Sequence, residues 1–89
     1  MKTYLPLTLA LGLALSPLAA FALPAVGDLV GTTPEAATAA LEAAGCKGAS
    51  FEPEDGKIEA KCTETETGKV WEIYIDPKTG AVAEVKLDD

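Results

Sequence analysis

The chain has 89 residues, with seven lysines, no arginine and no histidine against fourteen carboxylates, a formal net charge of −7. That balance disfavours nucleic acid and anionic membrane surfaces as partners, because both are held through cationic side chains. The missing histidine and arginine exclude the common catalytic triads and most transition-metal sites, and the length allows one domain with a thin core.

Residues 1–22 read as an export signal. Lys2 supplies a positive start, Leu5 to Leu15 an apolar run, Ser16-Pro17 a helix break, and Ala20-Phe21-Ala22 a small-x-small cleavage site. The expected cut lies between Ala22 and Leu23. An uncleaved anchor is the competing reading, since the stretch from Leu5 to Ala22 approaches the roughly 18 apolar residues of a spanning helix. Pro6, Thr8, Gly12 and the Ser16-Pro17 break oppose it. Without a twin-arginine pair, or a cysteine at the cut for lipid attachment, the signal is of the general secretory type and the product is released. The expectation is a periplasmic or secreted protein with no membrane anchor after cleavage. Of the 89 residues 67 remain, and loss of Lys2 takes the net charge to −8.

Residues 23–32 form an extended lead-in, with Pro24, Gly27 and Gly31 opposing regular structure and Val26, Leu29 and Val30 packing under the rest of the domain. Residues 33–89 form the domain proper. Thr33 stands at a helix N-cap, Pro34 at the first helical position and Glu35 in the first turn, where the helix dipole favours a negative charge. Ala36, Ala37, Ala40, Leu41 and Ala44 recur at helical spacing, so the helix runs from Pro34 to about Ala44 and ends at Gly45.

The remainder of the chain reads as strand and turn. Ala49 to Pro53 is a short first strand, closed by a hairpin turn at Glu54-Asp55-Gly56. Lys57 to Glu64 alternates, with Ile58, Ala60 and Cys62 on the core side. Val70 to Ile75 places Trp71, Ile73 and Ile75 on one face and Val70, Glu72 and Tyr74 on the other. Asp76-Pro77-Lys78-Thr79-Gly80 has the residues of a type I turn closed by a left-handed glycine. Ala81 to Leu87 is the last strand, with Ala81, Ala83, Val85 and Leu87 inward. The fold class is α+β, an N-terminal helix packed on a four-stranded antiparallel meander.

Cys46 and Cys62 form an even pair in an exported chain, which reads as a disulfide. Two cysteines without histidine make a poor zinc site, and the spacing is not that of a redox Cys-x-x-Cys. A helix packed on the Ile58, Ala60, Cys62 face brings the two together, stapling the helix end to the sheet. Among the carboxylates, Glu52, Glu54 and Asp55 gather at one turn and Glu64 and Glu66 at another, without the ordered ligand series of a calcium loop. No catalytic residue, metal ligand or cofactor site emerges. The outer sheet face, bearing Val70, Glu72, Tyr74, Val82 and Glu84, is the candidate surface for a partner, against ordinary solvated cross-strand pairs.

The segment Thr33-Pro34-Glu35-Ala36, the helix end Leu41-Glu42-Ala43-Ala44-Gly45 and the run from Gly68 to Val82, with its Asp-Pro-Lys-Thr-Gly turn, resemble the small PepSY domains. That family is named for peptidase propeptides and a spore-cortex protein. The likeness spans Thr33 to Leu87, and the cysteine pair is an addition to the pattern. It implies a non-catalytic binding module, with a secreted peptidase or another periplasmic or membrane protein as partner, and it carries over no catalytic residue. The alternative reading is a cation-binding or sensing domain that uses the acidic turns. The sequence leaves the oligomeric state open. N-terminal sequencing of the exported protein should begin at Leu23; a first residue upstream of it would mean that the signal is retained or cut elsewhere.

Overall fold

The computed structural model describes residues 23–88, so the expected export signal lies outside the described residues. Thr33 caps helix α1 (Pro34–Ala43) from an extended backbone, its Oγ1 accepting the Ala36 N–H at 3.1 Å. The helix ends where Ala44 donates back to Ala40 and Leu41 and Gly45 enters the left-handed region at φ 87°. Only Ala37 and Leu41 on it are buried, because an alanine-rich face removes little area from water.

Four strands, β1 (Cys46–Glu54), β2 (Lys57–Glu64), β3 (Val70–Ile75) and β4 (Val82–Leu87), form one antiparallel sheet in sequence order. The class is α+β, as expected. Ala37 and Leu41 share a buried cluster with Val30, Cys46, Ala60, Cys62, Ile73, Ile75 and Val82. Strands β2 and β3 begin and end where the alternation places them. Strand β1 is longer than expected: it starts at Cys46, with one extra residue between Lys47 and Ser50 against β2. Gly48, at φ 68°, lies within that bulge.

A second bulge corrects the reading of β4. Ile75 pairs with Val82 and Tyr74 with Glu84, so Ala83 is the extra residue. The bulge reverses the alternation ahead of it. Val82 turns inward and is 2% exposed, while Ala83 is exposed. Val82 is therefore a core residue and not part of the outer face.

The lead-in is corrected as well. Val30 is buried, but Val26 and Leu29 are 66% and 73% exposed. The segment does not slide beneath the sheet; it lies along the edge of β4. Gly27 N–H donates to Val82 O, Val82 N–H to Asp28 O and Val30 N–H to Gly80 O, each at 2.8–2.9 Å, and Leu29 bridges to Ala81. Two glycines permit this. A Cβ on Gly80 (φ 77°) would stand 2.7 Å from the Gly31 carbonyl carbon, and one on Gly31 (φ 108°) 2.7 Å from the Ala36 Cβ.

Cys46 and Cys62 are bonded, with Cα atoms 5.3 Å apart. The staple ties the first residue of β1 diagonally to β2, across the Cys46 and Glu64 pair, two residues beyond the helix C-cap Ala44 and in one buried cluster with Leu41. It closes a loop of 16 residues, which in the chain-entropy model contributes about 3 kcal/mol. Cys62→Ser should lower the melting temperature under oxidising conditions by about 10 °C or more, the shift such a loss produces in a domain this small. An unchanged value in a thermal melt would refute the staple.

Candidate functional site

The face of the sheet away from the core carries a polar ladder. Cross-strand pairing sets Glu52 opposite Glu59, Glu59 opposite Tyr74 and Tyr74 opposite Glu84 in one row, and Ser50, Lys61, Glu72 and Lys86 in the next. Tyr74 organises it. Its Oη lies 3.0 Å from Glu72 Oε1 and 3.2 Å from Glu59 Oε2, and having one proton it donates to one carboxylate at a time. Lys86 Nζ sits 5.6 Å from the Tyr74 ring centroid, and Lys61 Nζ pairs with Asp88 Oδ2 at 3.7 Å. Of the residues expected on this face, Val70, Glu72, Tyr74 and Glu84 are there; Val82 is not.

The electrostatics arise from these contacts. A hydrogen bond with the Asp88 carboxyl raises the Glu72 pKa above the usual carboxylate value, opposed by the Tyr74 hydroxyl. Glu72, then desolvation, then Glu59 push the Tyr74 phenol well above its ordinary value, so it stays protonated. Near the other end of the sheet, Glu64 Oε1 accepts from Thr67 Oγ1 at 2.7 Å and from Trp71 Nε1 at 3.0 Å. These two bonds hold its pKa below the usual value.

Glu64 and Asp76 both serve the fold. Asp76 Oδ1 accepts the Lys78 N–H at 2.8 Å and closes the β3 to β4 turn. Among the described residues no three or more His, Cys, Asp or Glu are grouped to hold a metal ion, and no helix is long and apolar enough to cross a membrane.

Sequence reasoning missed a second feature, a cleft of roughly 270 Å³ beside the start of α1. Phe51, Ile58 and Ile75 line it from the sheet, Pro34 and Ala37 from the helix, and Pro77 from the last turn. Strand alternation assigns Ile58 and Ile75 to the core side and helical spacing assigns Ala37 to the apolar face, while Phe51, Pro34 and Pro77 carry no such assignment. Neither pattern could show that a 10-residue helix leaves the hairpin end of the inner face uncovered.

A short helix, a four-stranded antiparallel sheet and a disulfide define a small α+β module. The chain belongs to the PepSY family described as peptidase propeptide and YPEB domain, whose sequence profile matches residues 6–86. That match begins within the stretch read as an export signal. No curated protein and no solved structure matches the chain. Domains of this family are generally non-catalytic propeptide-type modules associated with peptidases and typically extracellular or periplasmic, and the disulfide fits an oxidising compartment.

Glu64 stabilises the fold above its unfolded pKa and loses that contribution as pH falls through its depressed folded value. Glu72 does the reverse, stabilising below its unfolded pKa and losing the contribution as pH rises through its raised one. Carboxyl-detected NMR titration should therefore find the Glu64 midpoint below, and the Glu72 midpoint above, that of glutamate in an unstructured peptide. Asp88→Asn should bring Glu72 down, and Tyr74→Phe should raise it further by removing a donor to the ionised form.

Proposed function

We propose that this chain is an exported, non-catalytic binding module that restrains or modulates a peptidase or another exported protein through the outer face of its sheet. Residues 1–22 act as its cleaved signal, residues 23–32 as a lead-in and residues 33–89 as the binding domain. The observation that carries this reading is the outer sheet face, where Tyr74 bridges Glu72 and a nearly buried Glu59, with Glu84 opposite it on β4. Carboxylates already aligned by a protonated phenol lose little side-chain freedom on binding. Their excess over Lys61 and Lys86 suits a partner with a basic surface, and family membership supports a peptidase as that partner.

The alternative of cation binding at the acidic turns has Glu64 already committed to Thr67 and Trp71. Added to a fraction of exported peptidases from the same source, the protein should slow peptide hydrolysis, with relief by high salt. Tyr74→Ala, and Glu72→Lys combined with Glu84→Lys, should weaken inhibition at least tenfold. Equal inhibition by these variants would remove the outer face from the reading. Inhibition that needs millimolar Ca²⁺, with heat on calorimetric titration, would favour the cation alternative.

A further inference from the structure

The two edges of the sheet are treated differently. The edge of β4 is sealed at its start by the lead-in, through the bonds to Val82 and Gly80. Strand β1 is the other edge, and among the described residues no backbone bond from outside the sheet reaches Cys46–Glu54. An unpaired edge is a template for another strand.

The register says which groups it presents. Asp55 (φ 51°) and Gly56 (φ 78°) form a two-residue turn between Glu54 and Lys57, and such a turn is flanked by a hydrogen-bonded pair. Bonded and non-bonded pairs alternate along an antiparallel ladder. Glu54, Glu52 and Ser50 thus direct their backbone groups to β2, while Phe51 and Pro53 direct theirs outward. Pro53, which has no N–H, occupies a position where none is needed by β2. The edge offers the Phe51 N–H and C=O and the Pro53 C=O.

Phe51 and Pro53 also line the cleft. Free main-chain groups and an apolar recess therefore meet at the same two residues, the combination by which an extended peptide is taken up beside a sheet: backbone bonds hold it, and its alternate side chains enter the recess. The charges restrict the peptide. Glu35, Glu52, Glu54 and Asp76 stand on or next to lining positions, against Lys57 and Lys78. Glu35 lies in the first turn of α1 and offsets the positive end of the helix.

We infer that the β1 edge and its cleft form a second binding site, on the opposite side from the Tyr74 face, that accepts an extended partner segment alternating aliphatic and basic residues as a fifth strand. This site does not depend on the outer-face reading. Its occupant is a strand-forming segment of a partner protein, not a second copy of this acidic chain, whose β1 would bring carboxylates against carboxylates.

The probe is a fluorescently labelled peptide of four Val-Lys repeats, followed by anisotropy and by amide shifts in the isotope-labelled disulfide-bonded protein. The expected result is saturable binding with shifts centred on Ser50 to Glu54 and Ile58, and at least a tenfold loss of affinity for the Val-Glu counterpart. Peptide N-methylated on alternate residues should lose binding in only one of its two registers, because only one set of amides faces Phe51. Phe51→Ala should weaken binding at least tenfold and Tyr74→Ala should leave it unchanged. Shifts confined to Glu59, Glu72 and Tyr74, equal binding of the Val-Glu peptide, or no binding at millimolar peptide would overturn the site. So would a dimer in sedimentation that Phe51→Ala dissociates, which would make a second copy the occupant. The peptidase assay with the Tyr74 and Glu72 variants stands apart from all of these outcomes, so either site can fail alone.

Discussion

The rest of the structure depends on how little there is to bury. Among the described residues nine apolar residues make up the buried core, and Cys46 and Cys62 are two of them. A core of that size leaves a small margin over the conformational entropy of the chain. The disulfide enlarges it by fixing β1 against β2 beside the end of the helix, where Leu41 is fully buried. It also fits an oxidising compartment, where such bonds persist.

The approach of Gly31 to Gly80 sets the second constraint. With no side chain at either position, the lead-in backbone lies directly against the β3 to β4 turn and pairs with the edge of β4. The edge of β4 is thereby closed at its start, at Gly80 and Val82, without lengthening the sheet. Among the described residues no backbone bond from outside the sheet reaches the edge of β1, beside the cleft at Phe51 and Pro53.

Electrostatics divide the remaining surface. Glu64 and Asp76 satisfy an indole, a hydroxyl and turn amides and are part of the scaffold. Glu72 and the nearly buried Glu59 share the Tyr74 hydroxyl on the outer face, Asp88 pairs with Lys61, and the Asp88 carboxyl raises the Glu72 pKa.

Local chemistry was legible in the amino-acid sequence. The Thr33-Pro34-Glu35 cap, the Gly45 stop, the alternation of β2 and β3, the Asp76 to Gly80 turn and the cysteine pair each depend on residues a few positions apart, or on composition, and each stands as read. The family was legible too, because its pattern is an ordered set of such local features. What depended on pairing between distant segments was not. A one-residue bulge at Ala83 moved Val82 from the outer face to the core, and backbone bonding to β4 left Leu29 and Val26 in solvent. The cleft at Phe51, Ile58 and Ile75 lies beside the start of a helix of only 10 residues. Strand register and helix coverage are set by contacts across the whole chain, so the tertiary structure alone decided which apolar side chains became core and which stayed exposed.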